Sequence, residues 1–119
     1  MLLNDIDKNK PIHMVGIGGT SMSGIAEIIF NMGYKVTGSD MNESTVTKRL
    51  SESGIQVFIG HNAENVENAG LIVYTAAIKK DNPELIKAAE LNIPQMERSE
   101  FLGELTKLYE KTISICGTH

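Results

Sequence analysis

The chain has no tryptophan, only three tyrosines and three phenylalanines, and a single cysteine among its 119 residues. Any core must therefore be built from Ile, Leu, Val, Met and Ala, and an apolar content of 41% supplies enough of them for one compact domain. The lone Cys116 has no internal disulfide partner, which excludes a cross-linked secreted scaffold. No apolar run reaches the length of a membrane-spanning helix or follows a charged signal-type start. A reducing cytoplasm is the expected location. Positive charge is also scarce: 11 Lys and Arg against 15 Asp and Glu leave a net charge of -4. Nucleic acid and anionic membrane surfaces are thus poor partners, and any bound anion has to be held by local dipoles. No cluster of carboxylates or histidines stands at metal-ligand spacing, so no metal site is expected here. Any Mg²⁺ would ride on a phosphate.

What the chain does have is one dense cluster of glycine. His13 to Glu27 joins a strand-like apolar run to a glycine-dense turn and then to a helical pattern, the build of a phosphate-binding loop. Gly16, Gly18 and Gly19 let the main chain approach a ligand, and the amides of Thr20, Ser21, Met22 and Ser23 would open the following helix toward an anion. The loop departs from the dinucleotide fingerprint G-x-G-x-x-G, because Ser21 or Met22 stands where the third glycine would fall.

Around this loop the chain alternates strands and helices. Met1 to Lys10 has no sustained period and reads as an arm. Pro11–Ile17 reads as a buried parallel strand, with His13 in it as a structural histidine. Ser23–Met32 has the spacing of a helix stopped by Gly33, and Met22 and Met32 read as packing residues. Tyr34–Ser39 is a second strand ending at Asp40, an acidic residue about 20 positions beyond the loop, where nucleotide-binding folds bond a ribose or base edge. Ser44–Ser53 is a helix capped by Ser44 or Thr45 and ended by Gly54. Ile55–Ile59 is a third strand. Gly60-His61-Asn62 follows at its carboxyl end, where His61 either contacts a base or caps the next turn. Gly70–Tyr74 is the strongest buried-strand signal, followed by the small residues Thr75, Ala76 and Ala77. Lys79, Lys80 and Asp81 read as a solvated turn. Asn82-Pro83 starts a helix that Asn92 ends. Ile93–Met96 is an edge-like strand because of Pro94, Ser99–Tyr109 a last helix, and Thr112–Cys116 a further strand leading to Gly117-Thr118-His119. That ending suggests a chain that stops where a second phosphate loop opens. Five or six strands alternating with helices predict a Rossmann-like, doubly wound, mainly parallel α/β sheet with helices on both faces.

These motifs carry a resemblance. The run Val15-Gly-Ile-Gly-Gly-Thr-Ser-Met-Ser-Gly-Ile-Ala-Glu27 resembles the opening of the Mur ligases, the ATP-dependent ligases of peptidoglycan synthesis, and within them the branch that adds L-alanine to UDP-N-acetylmuramate. Gly38-Ser39-Asp40, Gly60-His61, Ala77-Ile78 with Asp81-Asn82-Pro83-Glu84, Ile93-Pro94, Arg98 with Glu100, and Gly117-Thr118-His119 follow in the family's order. Ser21 departs from a common glycine, and Tyr74-Thr75-Ala76 from a frequent pair of serines.

The resemblance implies residues 11–110 as a UDP-binding domain and 111–119 as the start of a central ATPase domain. It places the diphosphate at Gly18, Gly19, Thr20, Ser21, Met22 and Ser23, and the uridine at Ser39 and Asp40. Gly60, His61 and Asn62 line the uracil pocket, with Thr75, Ala76, Ala77 and Ile78 as its far wall. Gly117, Thr118 and His119 begin the ATP-binding loop. ATP and Mg²⁺ serve the whole enzyme, whose reaction passes through an acyl phosphate that the alanine amine attacks. This stretch alone carries no catalytic residue and is expected to be inactive. Two other readings share the loop: the related ligase that attaches a recycled peptide to the same sugar nucleotide, and an NAD-binding domain of an oxidoreductase. A ligand-free interaction domain is the third.

Overall fold

The computed structural model describes residues 9–116 and, within its last helix, side chains as far as Lys107. In chain order the elements are β1 (Ile12–Val15), α1 (Thr20–Asn31), β2 (Val36–Asp40), α2 (Thr45–Ser53), β3 (Gln56–Ile59), a 3-10 turn (Ala63–Val66), β4 (Leu71–Tyr74), α3 (Pro83–Glu90), β5 (Gln95–Glu97) and α4 (Arg98–Cys116). The sheet order is β3-β2-β1-β4-β5, and every pairing is parallel. Chain order thus reverses direction at β1 and β4, the position where open α/β sheets bind ligands beyond their carboxyl ends.

Period-two alternation along the strands sorts the two faces. Ile12, Met14, Leu71 and Val73 pack with Met22, Ile25, Ala26 and Ile29 of α1, Leu50 of α2 and Phe101 and Leu105 of α4. Their neighbours Val15 and Ile72 turn the other way, onto Leu85 and Ala88 of α3 and Val66. Helices therefore cover both faces, as expected. Met22 is buried in the first cluster and packs as its spacing indicated.

Pro94 lies just before β5 at the sheet's edge, where no central ladder needs its missing N–H. Asn92 ends the α3 segment with a φ of 59°. The sixth strand expected at Thr112–Cys116 is not formed: these residues continue α4, which runs unbroken from Arg98. A strand needs a ladder partner, whereas a helix bonds within itself, so β-branched side chains alone express only a weak preference. Among the described residues the sheet accordingly has five strands and is wholly parallel. The border expected at residue 110 falls inside α4. Gly117, Thr118 and His119, and all but the last two residues of the expected N-terminal arm, lie outside the described residues. Among the described residues, no helix is long and apolar enough to cross a membrane.

Candidate functional site

The loops after β1, β2, β3 and β4 and the start of α4 share the carboxyl edge of the sheet, since Val15 pairs with Ser39, Asp40 with Ile59, and Tyr74 with Glu97. Gly16 turns the chain out of β1 with a φ of +82°, a conformation that a Cβ disfavours. Its amide and that of Ile17 both donate to the Ser39 carbonyl, at 2.8 and 3.0 Å.

Gly18 is required for a different reason. Its amide donates to Asp40 Oδ2 at 2.9 Å, and a Cβ there would sit 2.7 Å from that same oxygen. Asp40 also accepts from the Asn42 amide through Oδ1, at 3.3 Å. The acid expected to meet uridine therefore first ties the glycine loop to β2. A carboxylate offers about four lone-pair sites, so capacity remains for a ligand.

The start of α1 is open. Gly19 is its N-cap and provides no capping side chain, and the first turn holds no acid. The amides of Thr20, Ser21 and Met22 have no acceptor among the described residues. Ser23 departs from the expectation: its amide donates to the Gly19 carbonyl at 2.8 Å, its hydroxyl donates to the Thr20 carbonyl at 3.0 Å, and its side chain is buried. Three amides, not four, are left without an acceptor among the described residues, those of exposed Thr20 and Ser21 and of buried Met22.

Arg98, from the start of α4, donates through Nη1 to Ser21 Oγ at 2.9 Å. A guanidinium is thereby held at the positive end of the α1 dipole, an electrostatically costly position that a bound anion would relieve.

On the α3 side of β1 and β2 a polar network replaces apolar packing. Glu84, fully buried in the first turn of α3, accepts from His13 Nε2 at 2.8 Å and from Ser39 Oγ at 2.6 Å through Oε1. Its Oε2 accepts from the Asn62 amide at 3.1 Å and from Asn65 Nδ2 at 2.8 Å. Burial pushes the Glu84 carboxyl up, but the bonds and charge of His13, with the bonds from Ser39 and Asn65, outweigh it and hold the group below its ordinary range. His13 is fully buried, and its Nδ1 meets Thr37 Oγ1 at 2.8 Å. It is the satisfied structural histidine that its place in an apolar strand suggested. Ser39 is buried too, and its hydroxyl also meets His61 Nδ1 at 2.9 Å.

The edge thus gathers the bonded pairs Gly18–Asp40 and Ser39–His61, with Asn62 tied to the second pair through Glu84. Ile78 joins from the β4 loop, its Cδ1 lying 3.5 Å from where a Cβ on Gly16 would stand. Ala76 and Ala77 are exposed beside it, and Thr75 is half-buried. Ser39 and Ser23 do not face outward and act only through their neighbours.

Reasoning from residues alone did not single out Glu84, Asn65, Thr37 or Arg98 as parts of this site. The first-turn acid after Asn82-Pro83 signals a helix start. No local signal says that it reaches Ser39 of β2 and the amide of Asn62. Among the described residues, no group of three or more His, Cys, Asp or Glu could hold a metal ion.

Such an edge, with an open helix start beyond a glycine turn at the reversal point of a parallel sheet, defines an α/β domain of nucleotide-binding architecture. The chain belongs to the Mur ligase family: the family described as "Mur ligase family, catalytic domain" matches residues 11–110. It is 56% identical, over its whole length, to a UDP-N-acetylmuramate–L-alanine ligase of Clostridium botulinum (strain Kyoto / Type A2), of which it covers 26%. To the ligase of the same name from Alkaliphilus metalliredigens it is 54% identical, over 92% of this chain and 24% of that one.

Among solved structures, the UDP-N-acetylmuramate-alanine ligase of Thermotoga maritima superposes with a TM-score of 0.79 at 36% identity, over 82% of this chain and 23% of that one. A UDP-N-acetylmuramate:L-alanyl-gamma-D-glutamyl-meso-diaminopimelate ligase from Neisseria meningitides gives 0.73 at 30% identity, over 80% and 30%. The chain spans about a quarter of the length of the curated relatives named here. Family membership removes the oxidoreductase reading.

Proposed function

We propose that this chain is the UDP-binding part of an ATP-dependent ligase that joins L-alanine to UDP-N-acetylmuramate in the cytoplasm. The observation that carries the reading is the open start of α1, with three amides and Arg98 converging where a diphosphate would lie. Asp40 and His61, one and two strands away on the same edge, stand on the uridine side, with Asn62 beside them and Thr75–Ile78 opposite. Identities of 56% and 54% to alanine-adding relatives, against 30% to the peptide-adding one, favour alanine as the added group.

Within this reading, residues 11–110 form the binding domain and α4 leads out of it toward an ATPase region that Gly117-Thr118-His119 would open. ATP supplies the phosphoryl group that activates the muramate carboxylate, and Mg²⁺ accompanies its phosphates. The edge described here contributes position. Binding energy at the remote UDP end holds the carboxylate in register and lowers the entropic part of the barrier. The chain by itself is inactive.

Calorimetric titration of the chain with UDP-N-acetylmuramate, and with UDP and NAD in parallel, tests the reading. Saturable binding of both UDP compounds, weakened in Asp40→Ala and His61→Ala and absent for NAD, is the expected result. Binding of NAD alone, or of none of the three, overturns it.

A further inference from the structure

We propose that the buried Glu84–Ser39 pair sets the tautomer of His61, so that its outward nitrogen is a hydrogen-bond acceptor that selects an N–H donor on the bound base. The inference rests on the uridine reading of the edge and deepens it.

The argument is one of counting hydrogens. A serine hydroxyl has one hydrogen to give, and an ionised carboxylate has none. Glu84 is held ionised by the donors converging on it, and Ser39 Oγ donates to Glu84 Oε1 at 2.6 Å. The 2.9 Å contact between Ser39 Oγ and His61 Nδ1 must then have the ring nitrogen as donor. In a neutral ring this leaves Nε2 without a hydrogen. The ring has no freedom to reverse the arrangement cheaply. Flipping the serine hydroxyl toward Nδ1 would remove a donor from Oε1, which is fully buried and has, among the described residues, only His13 Nε2 as its other partner.

Nε2 itself has no partner among the described residues, and no buried side-chain nitrogen or oxygen among them lacks one. Nε2 therefore reaches solvent. The same carboxylate fixes the backbone beside it, since Glu84 Oε2 accepts from the Asn62 amide at 3.1 Å and from Asn65 Nδ2, whose amide group also donates to the Gly60 carbonyl at 3.2 Å. The loop that carries His61 is thus held on both sides by one buried acid.

An acceptor at this position matches the imide N–H of uracil and opposes cytosine, whose corresponding ring nitrogen is itself an acceptor. Ser39 and Glu84 touch no ligand in this scheme and are positioning residues.

The test joins a spectrum to a titration. Long-range nitrogen–proton NMR of the ¹⁵N-labelled chain without ligand, with the His61 ring assigned by its loss in His61→Gln, reads the tautomer directly and requires no nucleotide. Calorimetry then compares UDP with CDP for the unaltered chain and for Ser39→Ala. Expected are the Nδ1–H tautomer, a preference for UDP, and in Ser39→Ala a shift toward Nε2–H with roughly tenfold of that preference lost, the equivalent of one hydrogen bond.

An Nε2–H or doubly protonated ring in the unaltered chain at neutral pH overturns the inference, whatever Ser39→Ala does and even if that variant fails to fold. Equal affinity for UDP and CDP overturns it as well, while leaving the proposed UDP-binding function standing. Binding of neither nucleotide overturns that function, and the base-recognition half of the inference with it.

Discussion

The starts of α1 and α2 are built oppositely, although both follow strands of the same sheet and face the same edge. At α2 the Ser44 hydroxyl accepts from the Thr47 amide at 3.2 Å while the Thr47 hydroxyl accepts from the Ser44 amide at 2.8 Å, a reciprocal cap that leaves little for a ligand. At α3 Asn82 accepts from the Glu84 amide at 2.9 Å, and the Glu84 carboxylate in that first turn is committed to the network beneath it. At α1 glycine stands in the capping position, no acid follows, and a guanidinium has been brought in. Closed helix starts stabilise the fold. The open one gives up that stability and keeps its dipole for an anion.

The comparison predicts that substitutions at closed starts move stability and those at the open start move binding. The largest effect is expected for Glu84→Ala, which strands His13 and Ser39 and should cost about 3 kcal/mol in chemical denaturation. The pH dependence has a fixed sign. Because the Glu84 carboxyl is held below its ordinary range in the folded chain, its stabilisation is complete above the unfolded value of about 4.3 and is lost as the pH falls through the lower folded value. Glu84→Gln should flatten that acid limb of the stability profile.

Next comes Gly19→Asp. A Cβ at this position meets only the Gly16 carbonyl at an ordinary 3.5 Å, so the new carboxylate should cap α1 and raise stability by a few tenths of a kcal/mol. It should also weaken UDP roughly a hundredfold by occupying the anion's place. Unchanged UDP affinity in this variant would break the comparison. Arg98→Ala should lower UDP affinity about tenfold, less so at high salt, with thermal stability nearly unchanged. The smallest effect is expected for Ser44→Ala, about 1 kcal/mol of stability with UDP affinity untouched, read by paired melting and titration.

Much of this was legible in the chain itself. The glycine turn, Ser44 and Gly54 around α2, Asn82-Pro83 at α3 and the apolar runs of β1 and β4 are local signals, and local signals survive translation into structure. Thr112–Cys116 misled because its β-branched residues express strand preference only beside a partner strand, and the helix before it continued instead. Ser23 and Ser39 lie close to the edge in the chain, but their side chains are buried, which periodicity near a turn does not resolve. The roles of Glu84 and Arg98 had no local signature, because each reaches a residue far away in sequence.

By itself the sequence determined the alternation of strands and helices, the parallel sheet, the position of the open helix start and the family. These follow from hydrophobic period, turn chemistry and glycine placement, all of which act over a few residues. Only the tertiary structure decided that Asp40 braces the glycine loop, that Arg98 reaches Ser21, and that one buried carboxylate joins His13, Ser39, Asn62 and Asn65. Those contacts join different strands and helices, and hydrogen-bond partners of that kind are set by packing geometry that no local pattern encodes.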